Sequence, residues 1–135
     1  MKQLKIEETT NRILEVVHEL FPKYKIPSDE QLHLFNAPRN LLGLGGANYG
    51  VGANPRVYGS ETGLDNAKFI DTIIHELVHH NSFRGHGPYF QRELARVGQA
   101  TFKRLKEKYP DDTKNWEVSY VQEAKAIIFR VVSKV

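Results

Sequence analysis

Residues 70–79 read Ile70-Asp71-Thr72-Ile73-Ile74-His75-Glu76-Leu77-Val78-His79. Apolar side chains at 70, 73, 74, 77 and 78 recur at i, i+3, i+4, i+7 and i+8, the pattern of a helix with one face in a core. Asp65 or Asn66 stands where a cap is needed. On such a helix His75 and His79 lie one turn apart on one face, beside the apolar stripe. Two imidazole nitrogens at that spacing can share one Zn²⁺ at about 2.0–2.1 Å each. Glu76 then sits beside a water on the metal, as a candidate general base.

Catalytic zinc takes three protein ligands and leaves a fourth position to water. The segment Arg84-Gly85-His86-Gly87-Pro88-Tyr89-Phe90 offers the third. Gly85 and Gly87 flank His86 and allow the chain to turn back, and Pro88 suits the first position of a new helix. His75, His79 and His86 complete the count for one Zn²⁺ per chain. His80 points about 100° away around the helix and reads as a supporting or surface residue. Glu93, on the following helix, is the weaker rival. The chemistry expected of this set is hydrolysis of a protein or peptide substrate. Zinc lowers the pKa of its water toward about 7, and Glu76 takes the proton and returns it to the leaving amine. Tyr89, His80 and Arg84 are candidate helpers for the oxyanion, and the sequence does not choose among them.

His75-Glu76-Leu77-Val78-His79 followed by Gly85-His86-Gly87-Pro88-Tyr89-Phe90 resembles the SprT-like zinc metalloprotease domain, the group that includes Spartan-type proteases of DNA–protein crosslinks. Gly52-Ala53-Asn54-Pro55-Arg56-Val57 resembles the short strand before that family's active-site helix. Ile70-Asp71-Thr72-Ile73-Ile74 resembles its run into HExxH. The specific part covers roughly residues 50–98. The resemblance implies a zincin-like fold, His75, His79 and His86 as ligands, Glu76 as catalytic acid/base, and a role near DNA, as in DNA repair. Two features depart from the pattern. Many members add a cysteine-ligated zinc ribbon, and this sequence has no cysteine. Spartan-type proteins also carry long regulatory tails, which 135 residues cannot hold. A metzincin would need glycine at 82 and histidine at 85, where this chain has Ser82 and Gly85.

A chain of 135 residues suits a single domain, 1–135, with a core of its own. Hydrophobic and charged fractions of 40% and 26% are those of an ordinary soluble globule. The absence of cysteine excludes disulfides and thiolate metal sites and is compatible with a reducing compartment. Met1 to Glu8 holds no uninterrupted apolar run, so no signal peptide is expected, and no window approaches a membrane span. The expectation is an intracellular, cytoplasmic monomer without a membrane partner; a nucleoid-associated or virus-encoded protein fits equally.

The formal charge of +3 is unevenly spread. Residues 84–108 carry seven basic groups (Arg84, Arg92, Arg96, Lys103, Arg104, Lys106, Lys108) against two acidic ones, a net of +5. A basic helix beside an active site would attract polyanions, which makes Arg92, Arg96, Lys103, Arg104, Lys106 and Lys108 candidate contacts to single- or double-stranded DNA. The plainer reading is a solvated helix face.

Elsewhere the chain reads as scaffold. Thr9 or Thr10 is expected to cap a helix running to Phe21 before Pro22, with an extension back to about Leu4 as the alternative. Residues 31–36 alternate and suit a strand, which makes His33 a strand residue. Five glycines between 41 and 54 lack the spacing of a phosphate loop. Residues 47–53 read instead as a strand with one nearly bare face. It either lies tightly on the zinc helix or serves as an edge strand pairing with substrate. Residues 88–109 form a long amphipathic helix with Phe90, Leu94, Val97, Thr101 and Leu105 on one face, closed by Pro110. Residues 116–120 and 126–132 suit a terminal hairpin. The architecture expected is α+β: an N-terminal helix, a small mixed sheet of about three to five strands, the HExxH helix and a second long helix.

Overall fold

The computed structural model describes residues 5–27, 32–34, 43–46, 50–53, 58–81, 85–123 and 126–133. Three helices dominate them: α1 (Lys5–Leu20), α2 (Ala67–His80) and α3 (Pro88–Lys108). Five strands accompany them: β1 (Leu32–Leu34), β2 (Gly43–Gly46), β3 (Gly50–Ala53), β4 (Trp116–Glu123) and β5 (Ala126–Ser133).

The buried face of α2 follows from its sequence. Phe69, Ile70, Ile73, Ile74, Leu77 and Val78 are all 2% exposed or less, so the apolar stripe is the core face. Asn66 caps the helix, its side chain accepting from the Phe69 N–H at 3.1 Å. At the other end the Asn81 amide holds the chain twice. Its Oδ1 accepts from the Lys25 N–H at 2.8 Å, and its Nδ2 faces the carbonyls of Lys25 and Leu77 at 3.1 and 2.9 Å. α2 touches α1, α3, β2 and β3, which makes it the element the others pack on.

Asp71, on this helix, is half-buried, and burial raises its carboxyl pKa. A carboxyl raised on folding is most favourable to stability when protonated, and that benefit is lost as pH rises through its folded pKa. Asp71→Asn should therefore melt higher than the parent at about pH 7, with the two curves converging toward about pH 3. Thermal denaturation at the two pH values checks this.

α1 buries Ile6, Ile13, Leu14, Val16 and Val17. It is described from Lys5 onward, so it does not start at a threonine cap, and the extension toward Leu4 is the reading that agrees with it. Thr9 and Thr10 lie inside the helix, and their hydroxyls donate back to the carbonyls of Lys5 and Ile6, each at 2.8 Å. The Thr9 hydroxyl also faces the Thr62 carbonyl at 2.8 Å, and the Ile6 N–H donates to Ser60 at 3.0 Å. The loop after residue 58 thus supplies the partners a threonine cap would have provided.

One buried cluster joins these helices. Trp116, 1% exposed, packs edge-on against Phe102 with 5.2 Å between ring centroids. Its indole N–H donates to the Leu64 carbonyl at 2.9 Å. Tyr58 lies against Phe69, and its hydroxyl pairs with that of Thr72 at 2.7 Å.

In the glycine-rich stretch the described residues, 43–46 and 50–53, are paired backbone, while 47–49 lie outside the described residues. β2 runs antiparallel to β3 (Leu44 opposite Gly52), and β1 runs parallel to it (His33 opposite Gly52). The order is β1-β3-β2. β3 is therefore a central strand, which overturns its reading as an edge strand open to substrate. The alternative, a strand lying on α2, agrees with the contacts between β3 and that helix. β4 and β5 form the expected antiparallel hairpin, from Trp116 opposite Ser133 to Glu123 opposite Ala126. Among the described residues no helix is long and apolar enough to cross a membrane.

Candidate metal centre

His75 and His79 leave α2 on the side next to its buried stripe, four residues apart. After Asn81 the chain reaches Gly85, whose φ of +68° is a left-handed turn that only glycine adopts without strain. Gly87 has φ −73° and ψ −172°, an extended conformation open to any residue, so only one of the two flanking glycines is required by the backbone. Pro88 is the first residue of α3, as its ring favours. This turn returns His86 over α2.

The three Nε2 atoms form a nearly equilateral triangle. His75 to His86 is 3.1 Å, His79 to His75 is 3.2 Å and His79 to His86 is 3.2 Å. These three are the one set among the described residues whose ligand atoms converge closely enough to hold a metal ion. An imidazole Nε2 either donates or accepts. In a triangle at least two corners must share one role, so hydrogen bonds alone leave at least one contact repulsive. A cation that takes all three lone pairs removes the conflict. For a tetrahedral ion with bonds of about 2.0–2.1 Å, ligand nitrogens lie about 3.3–3.4 Å apart, close to the spacing seen.

The protonation states suit ligation. Burial, then the positive charge of His79 and His86, pushes His75 down to about 4, so it is neutral near pH 7. Glu76 is 8% exposed, and burial raises its carboxyl to about 7. Its Oε1 lies 3.9 Å from His75 Nε2, at the edge of the triangle. With one group depressed and the other raised, the two are not an ion pair at neutral pH. Near its midpoint a carboxyl is suited both to take and to give a proton.

Phe90 is placed by sequence reading on the apolar face of its helix and at the end of the motif at 85–90, but is given no role at the site. It is 1% exposed, and its ring meets all three imidazoles. It stacks on His79 with centroids 4.4 Å apart and planes 19° apart. It meets His75 and His86 edge-on at 4.8 and 5.1 Å. The available signal was its spacing of four from His86, which becomes meaningful only once α3 is packed on α2.

The remaining candidates fall elsewhere. His80 is buried at 4% exposure, which excludes the surface alternative. Tyr89 is 78% exposed, with the Arg92 guanidinium 6.0 Å from its ring centre. Arg84 lies outside the described residues. Glu93 pairs with Arg96, which also lies over the Phe21 ring, so it is engaged away from the triangle.

The basic segment is more committed than its charge suggests. Arg104 donates to Glu19 at 2.9 and 3.1 Å and reaches Glu107, while Lys108 reaches Glu19 at 3.5 Å. The same contacts hold the Glu19 carboxyl below its usual pKa. Lys106 donates to the Thr113 carbonyl and lies over Trp116 at 4.3 Å. Lys103 is exposed. A cleft of about 620 Å³ between the start of α1, residues 61–65 and residues 111–115 includes none of the triangle's residues.

No protein-family model matches this chain, and neither a curated protein nor a solved structure matches it.

Proposed function

We propose that this chain is a zinc-dependent endopeptidase of the SprT-like kind. The observation that carries the reading is the triangle of His75, His79 and His86 Nε2 atoms with the buried carboxyl of Glu76 at its edge. Zinc is favoured over other ions by three imidazole nitrogens that converge on one point. When bound, zinc supplies positive charge that polarises a carbonyl and makes a nearby water a stronger acid. The chain supplies the rest. Glu76 takes the proton of the attacking water at its carboxylate and passes it to the leaving nitrogen.

A nucleic-acid partner is not required by this reading. Arg96, Arg104 and Lys108 face carboxylates of Glu93, Glu19 and Glu107, which offset much of the local positive charge. The test is cleavage of an unfolded protein by the zinc-loaded chain, with and without single-stranded DNA, read as new N-termini by mass spectrometry. Cleavage is expected to stop with a chelator, return with zinc and change by less than about threefold with DNA. Cleavage seen only with DNA would assign the basic face of α3 to DNA. Zinc bound without cleavage in either case would leave a non-catalytic metal-binding module.

A further inference from the structure

We propose that Phe90 is the positioning residue of the metal centre: its ring holds the three imidazoles at the spacing a single ion needs. The proposal rests on the metal-binding part of the reading above and is independent of the reaction.

The argument is geometric. Three histidines with their Nε2 atoms 3.1–3.2 Å apart are not a self-sufficient cluster, because at least one contact is repulsive without a cation. Something must hold them together before the ion arrives. His75 and His79 share one helix, but a side chain on a helix still has rotamers to choose among. His86 comes from the turn after α2, with Gly85 in the left-handed region and no helix of its own. No single element therefore fixes all three rings. Phe90 touches each of them. It is stacked on His79 and T-shaped to His75 and His86, arrangements that aromatic rings favour. Being on the first turn of α3 and 1% exposed, it is itself locked in place. A branched aliphatic side chain of similar bulk would fill the space without offering a plane for an imidazole to lie on.

The experiment is a competition titration of Co²⁺ and Zn²⁺ against a chromophoric chelator, with the visible spectrum of the Co²⁺ form recorded alongside. The proteins compared are the parent, Phe90→Leu, Phe90→Tyr and Phe102→Leu. Phe102 is a second buried aromatic on α3, packed on Trp116, so Phe102→Leu reports what a lost core ring costs by itself. Phe90→Leu is expected to weaken metal binding by about ten- to a hundredfold, the effect of removing a group that orients a ligand, and to change the Co²⁺ bands. Phe90→Tyr, which keeps the ring, should stay within about threefold of the parent. Phe102→Leu should lower the melting temperature and leave affinity unchanged. If Phe90→Leu does not fold, Phe90→Met, an unbranched filler of the same space, answers the same question with the same expected loss. Unchanged affinity and spectrum in the folded Phe90 variant, or an equal loss in Phe102→Leu, would overturn the proposal. A parent that binds neither ion would overturn the metal reading itself, and this proposal with it.

Discussion

Glu76→Gln is expected to lower peptide-bond turnover by about a hundred- to ten-thousandfold, the usual contribution of a positioned general acid–base group. Glutamine has nearly the same shape, and the position is 8% exposed, so the packing around it should survive. What disappears is the ability to hold a proton. Metal affinity should change only a few-fold, because Glu76 is not a corner of the Nε2 triangle. Steady-state kinetics on a peptide substrate, paired with zinc content by elemental analysis, separates the two effects. Loss of zinc together with activity would instead make Glu76 a ligand or a structural prop. Full activity without it would remove it as the base.

His86→Ala should have the largest effect on metal binding, a loss of more than about a hundredfold, beyond the cost of removing a supporting group around a ligand. His86 is exposed on the turn between α2 and α3, so its removal should leave the apo fold intact. The contrast is measurable as a thermal shift. A ligand at a hundredfold excess over its Kd stabilises the native state by about 2.7 kcal/mol. For a chain of this size that is a rise in melting temperature on the order of 10 °C. The parent should show that rise on adding zinc and His86→Ala should not, while the two apo proteins melt together. A parent-like rise in His86→Ala would mean that the ion sits elsewhere.

The metal-binding set was legible in the sequence because its determinants are local. A four-residue spacing on a helix puts His75 and His79 on one face whatever surrounds them, and a glycine turn followed by proline marks where a third ligand returns. The core face of α2, its Asn66 cap and the terminal hairpin were legible for the same reason. What the sequence hid depends on contacts distant along the chain. Thr9 and Thr10 are good caps and equally good donors to the preceding turn, and the helix already runs from Lys5, where Ser60 accepts from the Ile6 N–H and Thr62 meets the Thr9 hydroxyl. Alternation at 47–53, of which 50–53 are described, marked a strand, but not that β1 and β2 flank β3 on both sides. Counting charge by segment gave α3 a net excess, while Glu19, 85 residues from Arg104, lies against it in space. Phe90 closes the motif at 85–90 in the sequence, but its contact with three imidazoles depends on the packing of α3 on α2.

The proposed activity requires that an ion held by His75, His79 and His86 support hydrolysis. The most direct measurement is a titration of the metal-free chain with zinc while cleavage of an unfolded protein is followed. Activity should start at the baseline, rise in proportion to added zinc and break at one equivalent per chain. Cleavage undiminished in the metal-free chain, or one tightly bound zinc with no cleavage at all, would contradict it.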